Sequence, residues 1–233
     1  KDKELSPEKQ ALLQNIISRL IRKEPVQYIL GQAEFCGHTF HVEPGVLIPR
    51  PETQELVSLI CQQNPNSCSV LDIGTGSGCI AISLALMGHR VTAFEVSPDA
   101  LHIAERNAKM LHADVDLIQE DILHPTITTQ SWDIIVSNPP YICWKEAKIM
   151  DSNVLDYEPH LALFVPDDDP LLFYRAIAEY AVKHLKPSGY LYFEINQAYP
   201  TEITSLLTKM RFSQVTVHPD MYEKSRFISA LKK

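Results

Sequence analysis

A chain of 233 residues with 45% hydrophobic content can bury a substantial core, and suggests one main domain with an appendage. Its formal net charge of −8 and pI near 5.6 argue against sequence-independent nucleic-acid binding, which needs a basic face. No apolar run reaches the roughly 18 residues of a membrane helix and no secretory signal is visible, so a cytoplasmic protein with no membrane partner is expected.

The chain begins at Lys1 rather than Met, and an upstream segment is expected. Residues 7 to 23 place Leu12, Leu13, Ile16, Ile17, Leu20 and Ile21 on one face of an amphipathic helix, opened by Ser6 and Pro7. One helix cannot bury that stripe alone. It must dock on the main domain or belong to a helical domain only partly present. From Ala33 to Val42 two short apolar runs flank Cys36-Gly37-His38, the pattern of a β-hairpin. A proline-rich connector, EPGVLIPRPET, follows, and Pro51 and Glu52 suit the first turn of a helix through Leu56, Val57 and Ile60.

Beyond it strands and helices alternate. Strands are expected at Val70–Ile73, Val91–Glu95, Val115–Gln119, Trp132–Val136, Tyr190–Ile195, Gln214–His218 and Phe227–Leu231. Helices are expected at Cys79–Met87, Pro98–Leu111, Asp169–Leu185 and near residues 200 to 210, with a turn at Pro187-Ser188-Gly189. Short connections between alternating elements predict an α/β fold with a doubly wound, mostly parallel seven-stranded sheet. The five cysteines form no CxxC pair and read as reduced, partly buried thiols. The nine histidines show no HExxH or ligand-like clustering, so no metal site is expected.

The first strand of the alternating region runs into Gly74-Thr75-Gly76-Ser77-Gly78. Glycines at alternating positions let a backbone approach a ligand closely. The spacing is GxGxG rather than the GxGxxG of dinucleotide folds, and no Lys-Ser/Thr follows as in a P-loop. It suits an adenosine ligand with an amino-acid tail. Glu95, at the end of the second strand, can accept bonds from both ribose hydroxyls. Asp121 ends the third strand and can accept from an adenine amino group, while Ile122 covers the ring. With Asp72, three acidic strand ends fall in register.

The fourth strand stops at Ser137-Asn138-Pro139-Pro140-Tyr141. The two prolines make a stiff, extended exit at the edge where ligands sit in open α/β sheets. A planar amide nitrogen has its lone pair delocalised and is a poor nucleophile. The Asn138 side-chain oxygen and the Pro139 carbonyl can accept its two N–H bonds and aim the lone pair, with Pro140 fixing the carbonyl and Tyr141 packing on the substrate plane. Catalysis here is alignment and electrostatic preorganisation rather than strong base chemistry.

Together the GTGSG loop, the strand-end acid and NPPY resemble the class I S-adenosylmethionine-dependent methyltransferases, over about residues 50 to 233. The resemblance implies S-adenosylmethionine held by Gly74, Thr75, Gly76, Ser77, Gly78, Glu95, Asp121, Ile122 and Asn138, with S-adenosylhomocysteine as product. It implies catalysis by Asn138, Pro139 and Tyr141 on a substrate gripped by Asn138, Pro139, Pro140 and Tyr141. Residues 25 to 53, Val154-Leu155-Asp156-Tyr157-Glu158-Pro159 and Ala162-Leu163 further resemble the HemK/PrmC family, the protein-(glutamine-N5) methyltransferases of peptide-chain release factors. That family pairs an N-terminal helical domain with the catalytic domain through a hairpin, and methylates the glutamine of the Gly-Gly-Gln motif in class 1 release factors. The implied division is 1–32 as the end of a helical substrate-recognition domain, 33–48 as hairpin linker and 49–233 as methyltransferase domain, acting as a monomer. Asn196 stands where the family often has glycine, Glu95 where it often has Asp, and FVPDDD at 164–169 lacks the family's usual glycines. Rival expectations are a glutamine methyltransferase of a ribosomal protein, an adenine amino methyltransferase on nucleic acid, and a cofactor-binding scaffold.

Overall fold

The computed structural model describes residues 6–126 and 128–233. Helix α1 (Pro7–Ile21) is capped by the Ser6 hydroxyl, which accepts from the Lys9 N–H at 3.4 Å, and α2 (Val26–Leu30) follows. Strands β1 (Gln32–Phe35) and β2 (His38–His41) form the expected hairpin, turning through Cys36 and Gly37, both at positive φ as a type I′ turn requires. Then come α3 (Pro51–Gln63), β3 (Ser69–Ile73), α4 (Cys79–Leu86), β4 (Arg90–Glu95), α5 (Pro98–Leu111), β5 (Val115–Gln119) and β6 (Trp132–Ser137). A compact insertion holds β7 (Ile142–Cys143), a 3₁₀ turn (Trp144–Ile149), α6 (Ser152–Leu155), α7 (His160–Leu163) and β8 (Phe164–Val165). The chain closes with α8 (Leu172–His184), β9 (Leu185–Glu194), α9 (Pro200–Lys209), β10 (Phe212–Pro219) and β11 (Ser225–Lys232).

The main sheet has seven strands in the order β10-β11-β9-β6-β3-β4-β5, and β11 alone runs antiparallel. The chain starts at β3, builds outward through β4 and β5, then returns to place β6 on the other side of β3. The loops leaving β3 and β6 therefore part at a topological switch point, where open α/β sheets bind ligands. Side chains alternate across the sheet: Leu71, Ile135 and Phe193 face α8 and α9, while Val70, Ile134 and Tyr192 face α3 and α4. Burial on both faces explains why these strands read as continuous apolar runs.

Two expectations change, and one of two alternatives drops out. Helix α8 starts at Leu172 rather than Asp169, because Pro170 disfavours helix at the residue before it and Asp169 instead pairs with Arg175. The Pro187-Ser188-Gly189 turn is a bulge inside β9: Trp132 pairs with Leu185 but Ile134 with Tyr190, and Ser188 takes φ 61°. The apolar stripe of α1 does not dock on the main domain; Leu12, Leu13, Ile17, Leu20 and Ile21 are all exposed.

Candidate active site

The glycine loop is shaped from below and from the side. Gly74 and Thr75 donate their N–H groups to the Phe94 carbonyl at 2.8 and 3.1 Å, and the Thr75 hydroxyl donates to Asp72 at 2.7 Å. Asp72 is fully buried under the loop and does not line the cavity; burial pushes its carboxyl up to about 7. Gly78 caps the start of α4 at φ 82°, and a Cβ there would stand 2.8 Å from Ile82 Cδ1 and 3.3 Å from Ala104 Cβ, so a glycine lets α4 and α5 pack closely at the end of the loop. Asn107, buried in α5, donates to the Ser77 carbonyl at 2.8 Å and to the His41 carbonyl at 2.9 Å, tying the loop to the hairpin.

Above the loop lies a cavity of about 450 Å³ lined by Gly74, Thr75, Gly76, Ser77, Glu95, Asp121, Ile122, Asn138, Pro139 and Pro140, among others. That volume suits a nucleoside with an amino-acid tail. A Cβ added at Gly74 or Gly76 would meet no atom within 4 Å, so the loop leaves open room beside its backbone. Glu95 accepts the Gly76 N–H at 2.8 Å on one carboxylate oxygen and the Ser97 N–H at 2.9 Å on the other. Each oxygen keeps lone-pair capacity for one more donor, as two vicinal hydroxyls require. Asp121 accepts from the Leu123 N–H at 2.9 Å and pairs with His124 at 3.0 Å, which holds its carboxyl below the usual range. This donor set fits S-adenosylmethionine.

A second cavity, of about 90 Å³, adjoins the first. Asn138, Pro139, Leu47, Arg50 and Ala162 line both, while Tyr141 and Glu194 line only the smaller. The Tyr141 hydroxyl donates to Glu194 at 3.2 Å; burial, then the neighbouring carboxylate, holds that hydroxyl well above its ordinary pKa. Asn138 Nδ2 donates to the Thr53 hydroxyl at 3.4 Å. Asn196 closes this corner from behind, donating to the Tyr141 carbonyl at 3.1 Å and reaching Glu146 of the 3₁₀ turn at 3.4 Å. Among the described residues no three His, Cys, Asp or Glu side chains converge as metal ligands.

The insertion is clamped over the site by Glu158. Its carboxylate, 1% exposed, accepts from the Ile48 N–H at 3.0 Å and pairs with Arg50 at 2.5 Å, so connector and insertion move together. Glu158→Ala should leave a buried N–H and a half-buried guanidinium without a partner and lower stability by about 1–3 kcal/mol. Urea denaturation reads this directly, and a change below about 0.5 kcal/mol, the range of ordinary surface substitutions, would refute the clamp.

Sequence reasoning did not select Thr53, Asn107, Glu158 or Glu194 as site residues. Glu194 was findable: it too ends a strand at the ligand-binding edge, as Glu95 does. The other three act through long-range contacts that no local pattern announces.

A glycine loop and an NPPY exit side by side at the switch point of this sheet define a class I methyltransferase. The chain is 52% identical over 233 residues to the release factor glutamine methyltransferase of Bacteroides thetaiotaomicron, covering 99% of this chain and 84% of the relative. The same-named protein of Flavobacterium psychrophilum is 48% identical, covering 92% and 78%. The protein belongs to the release factor glutamine methyltransferase family. The family model for the Methyltransferase small domain matches residues 51–155, and that for the PrmC N-terminal domain matches residues 1–31. In fold it is similar to the T. thermophilus 16S rRNA N2 G1207 methyltransferase in complex with AdoMet and guanosine. That likeness has a TM-score of 0.65 and 21% identity, covering 87% of this chain and 50% of the other.

Proposed function

We propose that the protein transfers a methyl group from S-adenosylmethionine to the side-chain amide nitrogen of the glutamine in the Gly-Gly-Gln motif of class 1 translation release factors. The observation that carries this reading is the junction of the two cavities: Asn138 and Pro139 line both, with cofactor-sized space on one side and side-chain-sized space on the other. Gly74, Thr75, Gly76, Ser77, Glu95, Asp121 and Ile122 hold the methyl donor, whose sulfonium supplies an electrophilic methyl group. Asn138 Oδ1 and the Pro139 carbonyl accept the two N–H bonds of the glutamine amide, which turns its lone pair toward the larger cavity. Pro140 keeps that carbonyl in place, and Tyr141, tethered to Glu194, closes the smaller cavity. The amide nitrogen gains the methyl and gives up one proton, so alignment supplies most of the catalysis.

Residues 1–32 serve as the end of a substrate-recognition domain, of which residues 1–5 lie outside the described structure; residues 33–48 act as linker and 49–233 as catalytic domain. The enzyme works as a cytoplasmic monomer without direct nucleic-acid contact. A net charge of −8 supports that reading, and among the described residues no helix is long and apolar enough to cross a membrane. Co-incubation with a release factor and S-adenosylmethionine, followed by mass spectrometry, should add one methyl group to the Gly-Gly-Gln peptide. Methylation of a ribosomal protein or of nucleic acid instead, with the release factor unmodified, overturns the assignment.

A further inference from the structure

Behind Asn138 runs a short chain of buried polar groups that the reaction as described does not use. Thr53 sits in the first turn of α3 and Glu194 at the end of β9, each 2% exposed. The Thr53 hydroxyl donates to Glu194 Oε2 at 2.7 Å, and Tyr141 donates to Glu194 Oε1 at 3.2 Å. A threonine hydroxyl has one proton. Spent on the carboxylate, it leaves Thr53 able only to accept from Asn138, 3.4 Å away. The group of Asn138 facing Thr53 must therefore be its NH₂, and the Oδ1 must face the opposite way.

We infer that Thr53 and Glu194 are positioning residues that set the amide orientation of Asn138, so that its oxygen rather than its nitrogen meets the substrate amide. An ionised Glu194 accepts at both oxygens and so directs Thr53 and Tyr141 together. Burial pushes the Glu194 carboxyl above its usual range, while the Thr53 hydroxyl, the Arg226 guanidinium fixed by Asp220 at 3.0 Å, and the Tyr141 hydroxyl act in the opposite direction and favour the ionised form. The arrangement answers a specific weakness of an asparagine grip: its two ends have nearly the same shape, and a flipped amide would present donors to the donors of the substrate. A single buried carboxylate removes the ambiguity by fixing where the one Thr53 proton goes.

The inference rests on the proposed glutamine chemistry, and its test separates the two. Thr53→Val keeps shape but removes the acceptor; kcat for release-factor methylation should fall on the order of 10- to 100-fold, as expected when a reacting group is misplaced. The dissociation constant for S-adenosylmethionine, by calorimetry, should stay within about twofold, and Thr53→Ser should restore kcat to within about threefold of wild type, with KM for the release factor little changed. Glu194→Gln presents one acceptor and one donor, so one of the two hydroxyls must turn; it should lose activity like Thr53→Val. Independently of any substrate, selective ¹⁵N-asparagine labelling should show nuclear Overhauser contacts from the Asn138 NH₂ protons to Thr53 in the wild type. Absence of those contacts, or a folded Thr53→Val enzyme with kcat within twofold of wild type, overturns the inference. A wild type that shows the contacts but methylates no glutamine overturns the proposed function and leaves the orientation standing.

Discussion

Asn138→Ala should abolish methyl transfer while leaving the protein folded and charged with cofactor. The side chain supplies the one acceptor at the cavity junction that is not backbone, and alanine removes it without disturbing the Pro139 carbonyl. Loss of a preorganised polar contact to reacting atoms costs on the order of 10²- to 10³-fold in turnover. Here the loss should lie at the upper end, since the amide nitrogen has little nucleophilicity of its own and depends on being oriented. Thr53 keeps its bond to Glu194 in the variant, so no buried hydroxyl is stranded and thermal stability should barely change. Single-turnover methylation of a release factor and a calorimetric titration of S-adenosylmethionine read the two halves of the prediction. Activity within about tenfold of wild type, a loss too small for a principal orienting contact, would remove Asn138 from its assigned role.

Glu95→Gln should act on the other side of the site, weakening S-adenosylmethionine binding while sparing turnover at saturation. Each carboxylate oxygen already accepts one backbone N–H, from Gly76 and from Ser97. An amide has one acceptor, so its NH₂ must face either Gly76 or Ser97 donor to donor, and the glycine loop shifts. One ribose hydroxyl also loses its partner. A charge-assisted bond contributes about 1.5–3 kcal/mol, so losing one and straining the loop should raise the dissociation constant roughly 100-fold or more. Calorimetry tests this, and a change under about threefold would show that the carboxylate serves only to shape the loop.

Most of the frame was legible in the sequence because local rules decide it. Strands β4, β5 and β6 and helix α5 fall within one residue of expectation, since Ser97 and Pro98 open α5 and two prolines end β6. The hairpin at Cys36-Gly37 was legible for the same reason. The insertion between Tyr141 and Leu171 was not. Its pieces are too short to show a period, and they are held by contacts such as Arg50 to Glu158 and Asn196 to Glu146 that link residues far apart in the chain. Of the expected site residues, Tyr141 lines the smaller cavity with Asn138 and Pro139, whereas Gly78 and Asp72 are not among the residues lining the larger one. In the sequence Thr53 is only the last residue of the proline-rich connector; one proton on one hydroxyl gives it a larger part.

The hairpin and the connector after it are held by bonds that include Cys36 to Gln54, His41 to Asn107, Tyr28 to the Val46 carbonyl and Ile48 to Glu158. Tyr157 of the insertion also donates to the Arg22 carbonyl just beyond α1. Such a connector behaves as a calliper arm rather than a tether. Its course from α2 to α3 is set by bonds within the chain, so the geometry between hairpin and catalytic site belongs to the fold itself.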